Sequence, residues 1–498
     1  MPNFHDSTSR KFSAAIMVII LLSSGCTSEV DEIEEEIIPD QENNSEKETA
    51  SEAIEEISVI GSEFCDDTNP DHCMLPFPSG SFLVEDSSTA TGFSLSISGK
   101  AIPDTNSVES ENMVVLDRLD GFSPSTQIFT SFGSQVPDIS DLASQFDIST
   151  SVAPGHGSVI LNLDSGEIIH HWVELDSRSQ EGEATLLFLR TLEGLEHGTA
   201  YAVAFSGLVE NGEKILPTDG FRALRDNIST NNEGIESQRQ DYEKMFDALG
   251  KIGIIRSSLQ SAWWFHTAST ESILQDLLIM RNDAESRIGE NGLACNIIEV
   301  IEDYGDDGLA LRVIKGTVTT PHYMVEKEAR SPLMRDSSGD PLFVEYREIN
   351  FTMMIPNSLA ENNSSGPLTV LGHGLFGSGR DYVSNSMGRF YGDKYGTTLL
   401  ATDFKGWSSD GDLDAMTFAL LDIKEFQYQQ ERQMQAVINH ISMIRTITGT
   451  CSESDYFKHN GEELIDMETV NYWGISLGGL RGPSLLALVP ELDWGVLW

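Results

Sequence analysis

The 498-residue chain has few basic residues: Lys and Arg number 31 against 79 Asp and Glu, and the formal net charge is −48. Binding to nucleic-acid phosphates requires basic patches, so this acidity argues against a nucleic acid as partner. Cysteine is also scarce, and 5 cysteines in this length exclude a disulfide-dense scaffold. The hydrophobic fraction of 39% is that of an ordinary globular protein. The length therefore predicts roughly two to four domains.

The N-terminus has the features of an export signal. Arg10 and Lys11 precede an apolar run at 14–22, which is shorter than the ~20 residues that a bilayer-spanning helix needs. A basic start, a short apolar stretch and small residues before a cleavage point are typical of a secretory signal peptide. The Ser-Gly-Cys sequence that ends at Cys26 resembles a bacterial lipobox, in which the cysteine is acylated and becomes the new N-terminus. We therefore predict a lipoprotein signal peptide at 1–26 and an outer-membrane or cell-surface location; the alternative is an ordinary signal peptide and a secreted protein.

The segment that follows is strongly acidic. Residues 27–60 are rich in Glu, also include Asp, Pro, Asn, Ser and Thr, and contain no aromatic residue. Such a segment cannot bury enough apolar surface to order itself. We predict a disordered tether between a lipid anchor and a folded body; the alternative is an acidic tail with no role beyond solvation.

The next part of the chain is rich in predicted β-structure. Short stretches of β-branched and aromatic residues, separated by turn-forming residues, begin at residues 93, 127, 157, 168, 184 and 200. Short strands at this spacing predict a sandwich, and residues 192–201 resemble the strand-turn-strand of bacterial immunoglobulin-like modules. We predict an immunoglobulin-like region at 61–225. A helical connector is predicted at 226–304, because residues 236–249 are amphipathic and residues 270–280 open with a helix-start signal.

Four of the cysteines fall in the predicted body. Cys65 and Cys73 lie close together in a turn-rich segment, and in an exported protein this predicts a local disulfide. A metal site is the weaker interpretation, because only His72 lies nearby and the spacing fits no zinc pattern. Cys295 and Cys451 form a possible second bridge, which sequence alone does not establish.

Beyond residue 305 strands and helices alternate. Two opening strands at 311–318 and 346–356 are followed by shorter apolar strands at 367–372 and 397–402 and a long predicted helix at 424–447. This order predicts an α/β domain with a largely parallel sheet over 305–498.

A Gly-x-Ser-x-Gly sequence lies between a predicted strand and a predicted helix. It runs from Gly474 to Gly478 with Ser476 at its centre. In this context the pattern indicates a nucleophile elbow, whose tight turn requires small flanking residues and exposes the serine hydroxyl at a helix N-terminus. We predict Ser476 as a nucleophile; the alternative is a glycine-rich turn with an idle serine.

A second motif, His373-Gly-Leu-Phe-Gly377, follows the third strand of this domain. A hydrolase with an elbow needs two backbone N–H donors aimed at the developing oxyanion. One comes from Leu477, directly after the serine, and the other from the loop after the third strand. The motif resembles the oxyanion loop of bacterial lipases. That resemblance implies Leu375 as the second donor, and His373, with Gly374 and Gly377, as support for the loop.

The order of these motifs resembles the α/β-hydrolase superfamily. Over 61–498 the chain resembles large bacterial lipoprotein lipases and esterases of the extracellular, virulence-factor lipase type. The resemblance implies a cell-envelope serine hydrolase that cleaves carboxylic esters or lipids through an acyl-enzyme, without a cofactor. We also expect no metal, because Asp410, Asp412 and Asp414 alternate like the start of a calcium loop but lack its glycine and final glutamate.

The catalytic acid and base that this family implies are missing from the sequence. In the α/β-hydrolase order the serine is followed by an acid and then a histidine. After Ser476 the chain offers only Glu491 and Asp493 and no histidine. We therefore expect a C-terminally truncated hydrolase, inactive or nearly so by itself, whose acid and histidine lie beyond Trp498. The alternative is a surface binding or adhesion lipoprotein with a vestigial hydrolase domain.

The signal sequence yields a direct test of lipidation. Cells that express the protein should incorporate labelled fatty acid into it, and the protein should partition with outer-membrane material. Cys26→Ser removes the acylated thiol and should abolish the label. Equal labelling of both proteins would rule out Cys26 as the lipid anchor.

Overall fold

The structure of the protein, a computed structural model, describes residues 56–61, 65–97, 101, 118–179, 184–326, 330–409, 413–421 and 425–498. The predicted signal peptide, Cys26 and most of the predicted tether lie outside these residues, as do Asp410 and Asp412. Over the same ranges, no helix is both long enough and apolar enough to cross a membrane.

The N-terminal part of the described chain contains two three-stranded antiparallel sheets. Its strands are β1 (Glu56–Ile57), β2 (Leu83–Glu85), β3 (Phe93–Leu95), β4 (Ile128–Thr130), β5 (Ser158–Asn162), β6 (His171–Leu175), β7 (Leu187–Thr191), β8 (Ala200–Ser206), β9 (Val209–Glu210), β10 (Glu213–Lys214), β11 (Ser229–Thr230) and β12 (Leu259–His266). The two sheets have the orders β12-β8-β5 and β4-β7-β6. Helices α1 (Asp219–Arg225) and α2 (Glu233–Lys251) accompany them, and α2 packs against β12.

These two sheets share one hydrophobic core. Ile128 and Leu187 come from one sheet, Ile160 and Val203 from the other, and all four are fully buried in the same cluster. Removal of this apolar surface from water is the main force that holds the sheets together.

The predicted helical connector differs from the structure at two places. Residues 259–266 form a strand that completes the first sheet, and residues 295–302 form the first strand of the large C-terminal sheet. Helices do occupy much of the remainder, as α2 and α3 (Thr270–Ile288). All of β12 except Ser261 is buried. A strand buried on both faces has no alternating pattern, so periodicity cannot distinguish it from a buried helix segment.

The large sheet has seven strands, and the chain enters it earlier than residue 305. Its strands are β13 (Cys295–Glu302), β14 (Ala310–His322), β15 (Glu345–Pro356), β16 (Gly366–Gly372), β17 (Thr398–Ala401), β20 (Ile465–Gly474) and β21 (Trp494–Leu497), and the hairpin β18 (Lys458–His459) and β19 (Glu462–Glu463) precedes β20. The strand order is β13-β14-β15-β17-β16-β20-β21. The first three strands are antiparallel, and β17, β16, β20 and β21 run parallel to one another. The predicted α/β class is confirmed.

Helices cover both faces of this sheet. They are α4 (Asn357–Glu361), α5 (Gly379–Ser384), α6 (Ser386–Tyr395), α7 (Leu413–Leu421), α8 (Phe426–Thr448) and α9 (Leu477–Leu488). On one face Ile314 packs in a core that includes Ile441 and Ile444 of α8. On the other face the adjacent residue, Val313, packs in a cluster with Val383 of α5. Consecutive residues of β14 therefore point into different cores, as the period of a strand requires.

The strand order reverses beside β16. From β16 the chain moves to β17 on one side and later returns to β20 on the other side. Ligands of open α/β sheets bind outside the carboxyl ends of the strands at such a switch point. Residues 373–377 follow β16 and residues 475–478 follow β20, so both predicted motifs lie at this point.

Two disulfides are present. Cys65 pairs with Cys73 across a sequence separation of 8, and Cys295 pairs with Cys451 across a separation of 156. The second bridge fastens the edge strand β13 to the turn that follows α8. The loop of chain that it closes therefore contains most of the strands of the large sheet.

The two bridges should differ in their effect on stability. In the chain-entropy account a disulfide stabilises more when it closes a longer loop, by about 5 kcal/mol for the long loop and about 2.5 kcal/mol for the short one. Cys295→Ala/Cys451→Ala should therefore lower the free energy of unfolding in urea more than Cys65→Ala/Cys73→Ala. An equal or reversed ranking would show that loop closure does not dominate here.

Candidate active site

Ser476 occupies a strained turn between β20 and α9. Its backbone has φ +56° and ψ −115°, outside the regions that an L-residue normally adopts. A Cβ at Gly474 would lie 2.3 Å from the carbonyl oxygen of Gly478, and a Cβ at Gly478 would lie 2.2 Å from the carbonyl oxygen of Gly372. Backbone occupies the space on both sides of the serine, so only glycine fits at positions 474 and 478.

Hydrogen bonds fix this turn between its two neighbouring strands. The Ile475 N–H donates to the carbonyl oxygen of Gly372 at 3.0 Å, and the Ser476 N–H donates to that of Trp498 at 2.6 Å. The buried Tyr472 hydroxyl donates to the carbonyl oxygen of Gly478 at 2.7 Å. These contacts hold the serine in its strained conformation.

The loop after β16 lies directly against the serine. A Cβ at Gly374 would lie 3.4 Å from Ser476 Cβ. The Gly377 N–H donates to the carbonyl oxygen of Gly374, which closes the loop into a tight turn. Leu375 at its tip is 41% exposed. The structure thus brings together the two motifs that the sequence analysis singled out.

The proposed oxyanion donors are the N–H groups of Leu375 and Leu477. No described residue accepts a hydrogen bond from either group. Leu477 is the first residue of α9, and the first N–H groups of a helix have no partner within it. The positive end of the α9 dipole adds to the attraction for negative charge at this position.

His373 supports the loop through both ring nitrogens. It is fully buried; the Phe404 N–H donates to Nε2 at 2.9 Å, and Nδ1 lies 2.8 Å from the carbonyl oxygen of Gly374. An amide N–H can only donate, so Nε2 carries no proton and Nδ1–H donates to Gly374. His373 therefore joins the loop to the segment after β17, and both nitrogens are occupied.

None of the described histidines or of the carboxylates after Ser476 makes a hydrogen bond to Ser476 Oγ. His440 is fully buried in α8, where Nδ1 donates to the carbonyl oxygen of Ala436, and its ring stacks on Phe404. Glu491 pairs with Arg445, and Asp493 accepts from the Val470 N–H. Among the described residues, Ser476 therefore has a tight turn and a neighbouring loop, but no base that accepts its proton.

Sequence reasoning missed one residue at the site, Tyr382 of α5. A Cβ at Gly374 would lie 2.6 Å from Tyr382 Oη, and a Cβ at Gly377 would lie 2.7 Å from Tyr382 Cε2. The tyrosine ring therefore accounts for both glycines of the loop. Nothing in the motif spacing signals this contact, because it depends on where the first turn of α5 directs a side chain.

Metal-ligand groups do not gather anywhere in the part of the chain that the structure describes. No set of three or more His, Cys, Asp or Glu side chains is placed there to hold an ion.

Comparison with protein-family models finds no match, and comparison with curated proteins finds none. Among solved structures, acetyl xylan esterase 1 from Thermoanaerobacterium sp. is 14% identical with a TM-score of 0.27, over 46% of this chain and 57% of that one. A cold-adapted esterase from an Arctic intertidal metagenomic library is 14% identical with a TM-score of 0.23, over 37% and 59%. An S-formylglutathione hydrolase from Agrobacterium tumefaciens is 13% identical with a TM-score of 0.22, over 40% and 59%. Each match spans less than two thirds of the other protein, and likeness at this level does not identify an activity.

Burial of His440 should make the free energy of unfolding depend on pH. Burial lowers the pKa of its imidazole to about 4, and the positive charge of Arg481 acts in the same direction. An unfolded histidine titrates near ~6.5. Between these values the unfolded chain binds a proton that folded His440 does not bind, so stability falls as the pH drops from about 6.5 to 4.

His440→Asn removes this titration and keeps an N–H donor for Ala436. The loss of unfolding free energy between pH 7 and pH 5 should be smaller in the variant by about 2 kcal/mol. Urea unfolding at the two pH values measures this difference, and His170→Asn, at an exposed position, is the control that should behave as wild type. An unchanged pH dependence in His440→Asn would contradict the assignment.

Proposed function

We propose that the protein is a serine ester hydrolase of the α/β-hydrolase superfamily, similar in its organisation to bacterial lipoprotein lipases and esterases. The observation that carries the proposal is a serine on a strained strand-to-helix turn, directly beside a glycine-containing loop. A Cβ at Gly374 of that loop would lie 3.4 Å from Ser476 Cβ. A nucleophile elbow beside an oxyanion loop is the arrangement that acyl transfer requires.

In this proposal Ser476 Oγ attacks the carbonyl carbon of a carboxylic ester. The carbonyl oxygen takes the electron pair of the broken π bond and is held by the N–H groups of Leu375 and Leu477. Collapse of this intermediate expels the alcohol, which takes up a proton, and leaves an acyl-serine. Water then attacks the acyl-serine, and the carboxylic acid and the free serine are released.

The proton of Ser476 Oγ needs an acceptor that the described residues do not supply. A serine hydroxyl without a neighbouring base is a weak nucleophile at neutral pH. The family order of serine, acid and histidine supports the proposal that an acid and a histidine outside the described residues complete the site. His373 is a poor candidate for the base because backbone groups occupy both its nitrogens.

We place the enzyme in the cell envelope, exported and anchored by a lipid on Cys26, with an ester or lipid as substrate. Disulfides support export, because such bonds persist in oxidising compartments and are rare in the cytosol. The structure contains two of them, Cys65–Cys73 and Cys295–Cys451.

A second candidate is a surface binding or adhesion lipoprotein with a vestigial hydrolase domain. The lack of a base near Ser476 among the described residues favours it. The two candidates differ in whether the full-length natural protein turns over esters through Ser476.

Fluorophosphonate labelling and p-nitrophenyl ester hydrolysis decide between them. The full-length natural protein should be labelled and active, and Ser476→Ala should remove both signals. Ser484→Ala, a serine further along the same helix, should leave them unchanged. The 498-residue chain should show no more than trace turnover, because an oxyanion hole without a triad leaves only ~10³–10⁴-fold acceleration over water.

Each other outcome is informative. Full-length protein that is inert, or labelled equally in Ser476→Ala, would refute the enzyme and favour the binding protein. Strong Ser476-dependent labelling of the 498-residue chain would show that a base lies within it, and His440 and His459 would be the next residues to replace.

A further inference from the structure

Tyr382 brings a hydroxyl group to the serine from outside both motifs. A single methyl group placed on Gly374 would lie 2.6 Å from Tyr382 Oη and 3.4 Å from Ser476 Cβ. The phenol oxygen and the Cβ of the serine therefore both border the space that the missing side chain of Gly374 leaves open. In the proposed reaction the substrate oxygen reaches the N–H of Leu375, the residue next to Gly374, which brings that oxygen close to this space.

The backbone that carries the ring is fixed by its surroundings. Ser378 caps the N-terminus of helix α5, where its hydroxyl accepts from the Asp381 N–H. The Gly379 N–H donates to Asp403 Oδ1 at 2.7 Å. The adjacent Val383 is fully buried against the sheet. The backbone that carries the ring is thus held in place before any substrate binds, and the ring centroid lies 6.2 Å from that of the buried His373. A fixed attachment point is what a preorganised donor requires.

The hydroxyl itself has no hydrogen-bond partner among the described residues, and Tyr382 is only half-buried. A tyrosine that served packing alone would perform the same task as phenylalanine. A phenol O–H is a strong donor, and tyrosine side chains are among the groups that line oxyanion holes.

We propose that Tyr382 Oη is a third oxyanion donor, which hydrogen-bonds the substrate oxygen that becomes negative when Ser476 attacks. This inference rests on the proposed ester hydrolysis. The phenol keeps its proton throughout: the Ser476 Oγ–carbon bond forms, the carbonyl π bond breaks, and its electron pair stays on the oxygen that Tyr382 contacts. Because that hydrogen bond strengthens as charge develops, it favours the transition state over the bound ester.

Tyr382→Phe in the full-length natural protein tests the inference, since it removes the hydroxyl and keeps the ring. For p-nitrophenyl acetate kcat should fall about 10- to 100-fold with little change in KM, because the contact belongs to the transition state. Inhibition by phenylboronic acid, which forms a tetrahedral adduct with a serine, should weaken by a similar factor. Tyr395→Phe, a change at an exposed tyrosine of α6, should alter neither value.

Unchanged kcat and unchanged boronate inhibition in Tyr382→Phe, with wild type active, would overturn this inference and leave the proposed function intact. Wild-type protein without Ser476-dependent turnover would refute the proposed function, and the role of Tyr382 with it.

A second measurement does not depend on turnover. Gly374→Ala should lower Tm, because its methyl group would lie 2.6 Å from Tyr382 Oη. In a Tyr382→Phe background the nearest ring atom, Cζ, is 3.5 Å away, so the same substitution should lower Tm clearly less. Equal falls in both backgrounds would mean that the hydroxyl does not occupy this position, and the inference would be wrong.

Discussion

The close approach of two backbones, where β16 ends and α9 begins, is the constraint on which the site depends. At this point the carbonyl oxygen of Gly372 lies where a side chain at Gly478 would start. The approach places the loop after β16 beside the turn after β20, where Ser476 has a positive φ. A larger residue at either glycine would separate the strand from the helix, and the serine and its loop would no longer face each other.

Buried contacts of Phe404 hold the loop after β16 in place. Phe404, in the segment after β17, contacts His373 through its backbone N–H and His440 through its ring. One aromatic residue thus links the loop after β16 to the long helix α8, which packs on the sheet. Both ring nitrogens of His373 and Nδ1 of His440 are buried and matched to backbone partners, so the loop geometry is stabilised by the same packing that stabilises the sheet.

How far the sequence predicts this structure depends on how local each signal is. The turn at Ser476 is recognisable because part of its steric requirement is local: a Cβ at Gly474 would meet the backbone of Gly478, four residues along. Strand β12 escapes prediction because burial on both faces removes its alternation. Tyr382 escapes for another reason: its contact with the loop exists only after α5 has packed against the sheet, and no short pattern records that packing. The same holds for Cys295 and Cys451, whose pairing depends on the return of the chain after α8.

The contact between Gly374 of the loop and Tyr382 of α5 also couples these two positions of the sequence in evolution. A Cβ at position 374 would lie 2.6 Å from the hydroxyl of the tyrosine at position 382, so an alanine at the first position would force the tyrosine at the second to shift. Related proteins should therefore change the two positions together or keep both. Such covariation would identify which members of a family place a hydroxyl opposite the serine, from sequence alone and without a structure of each.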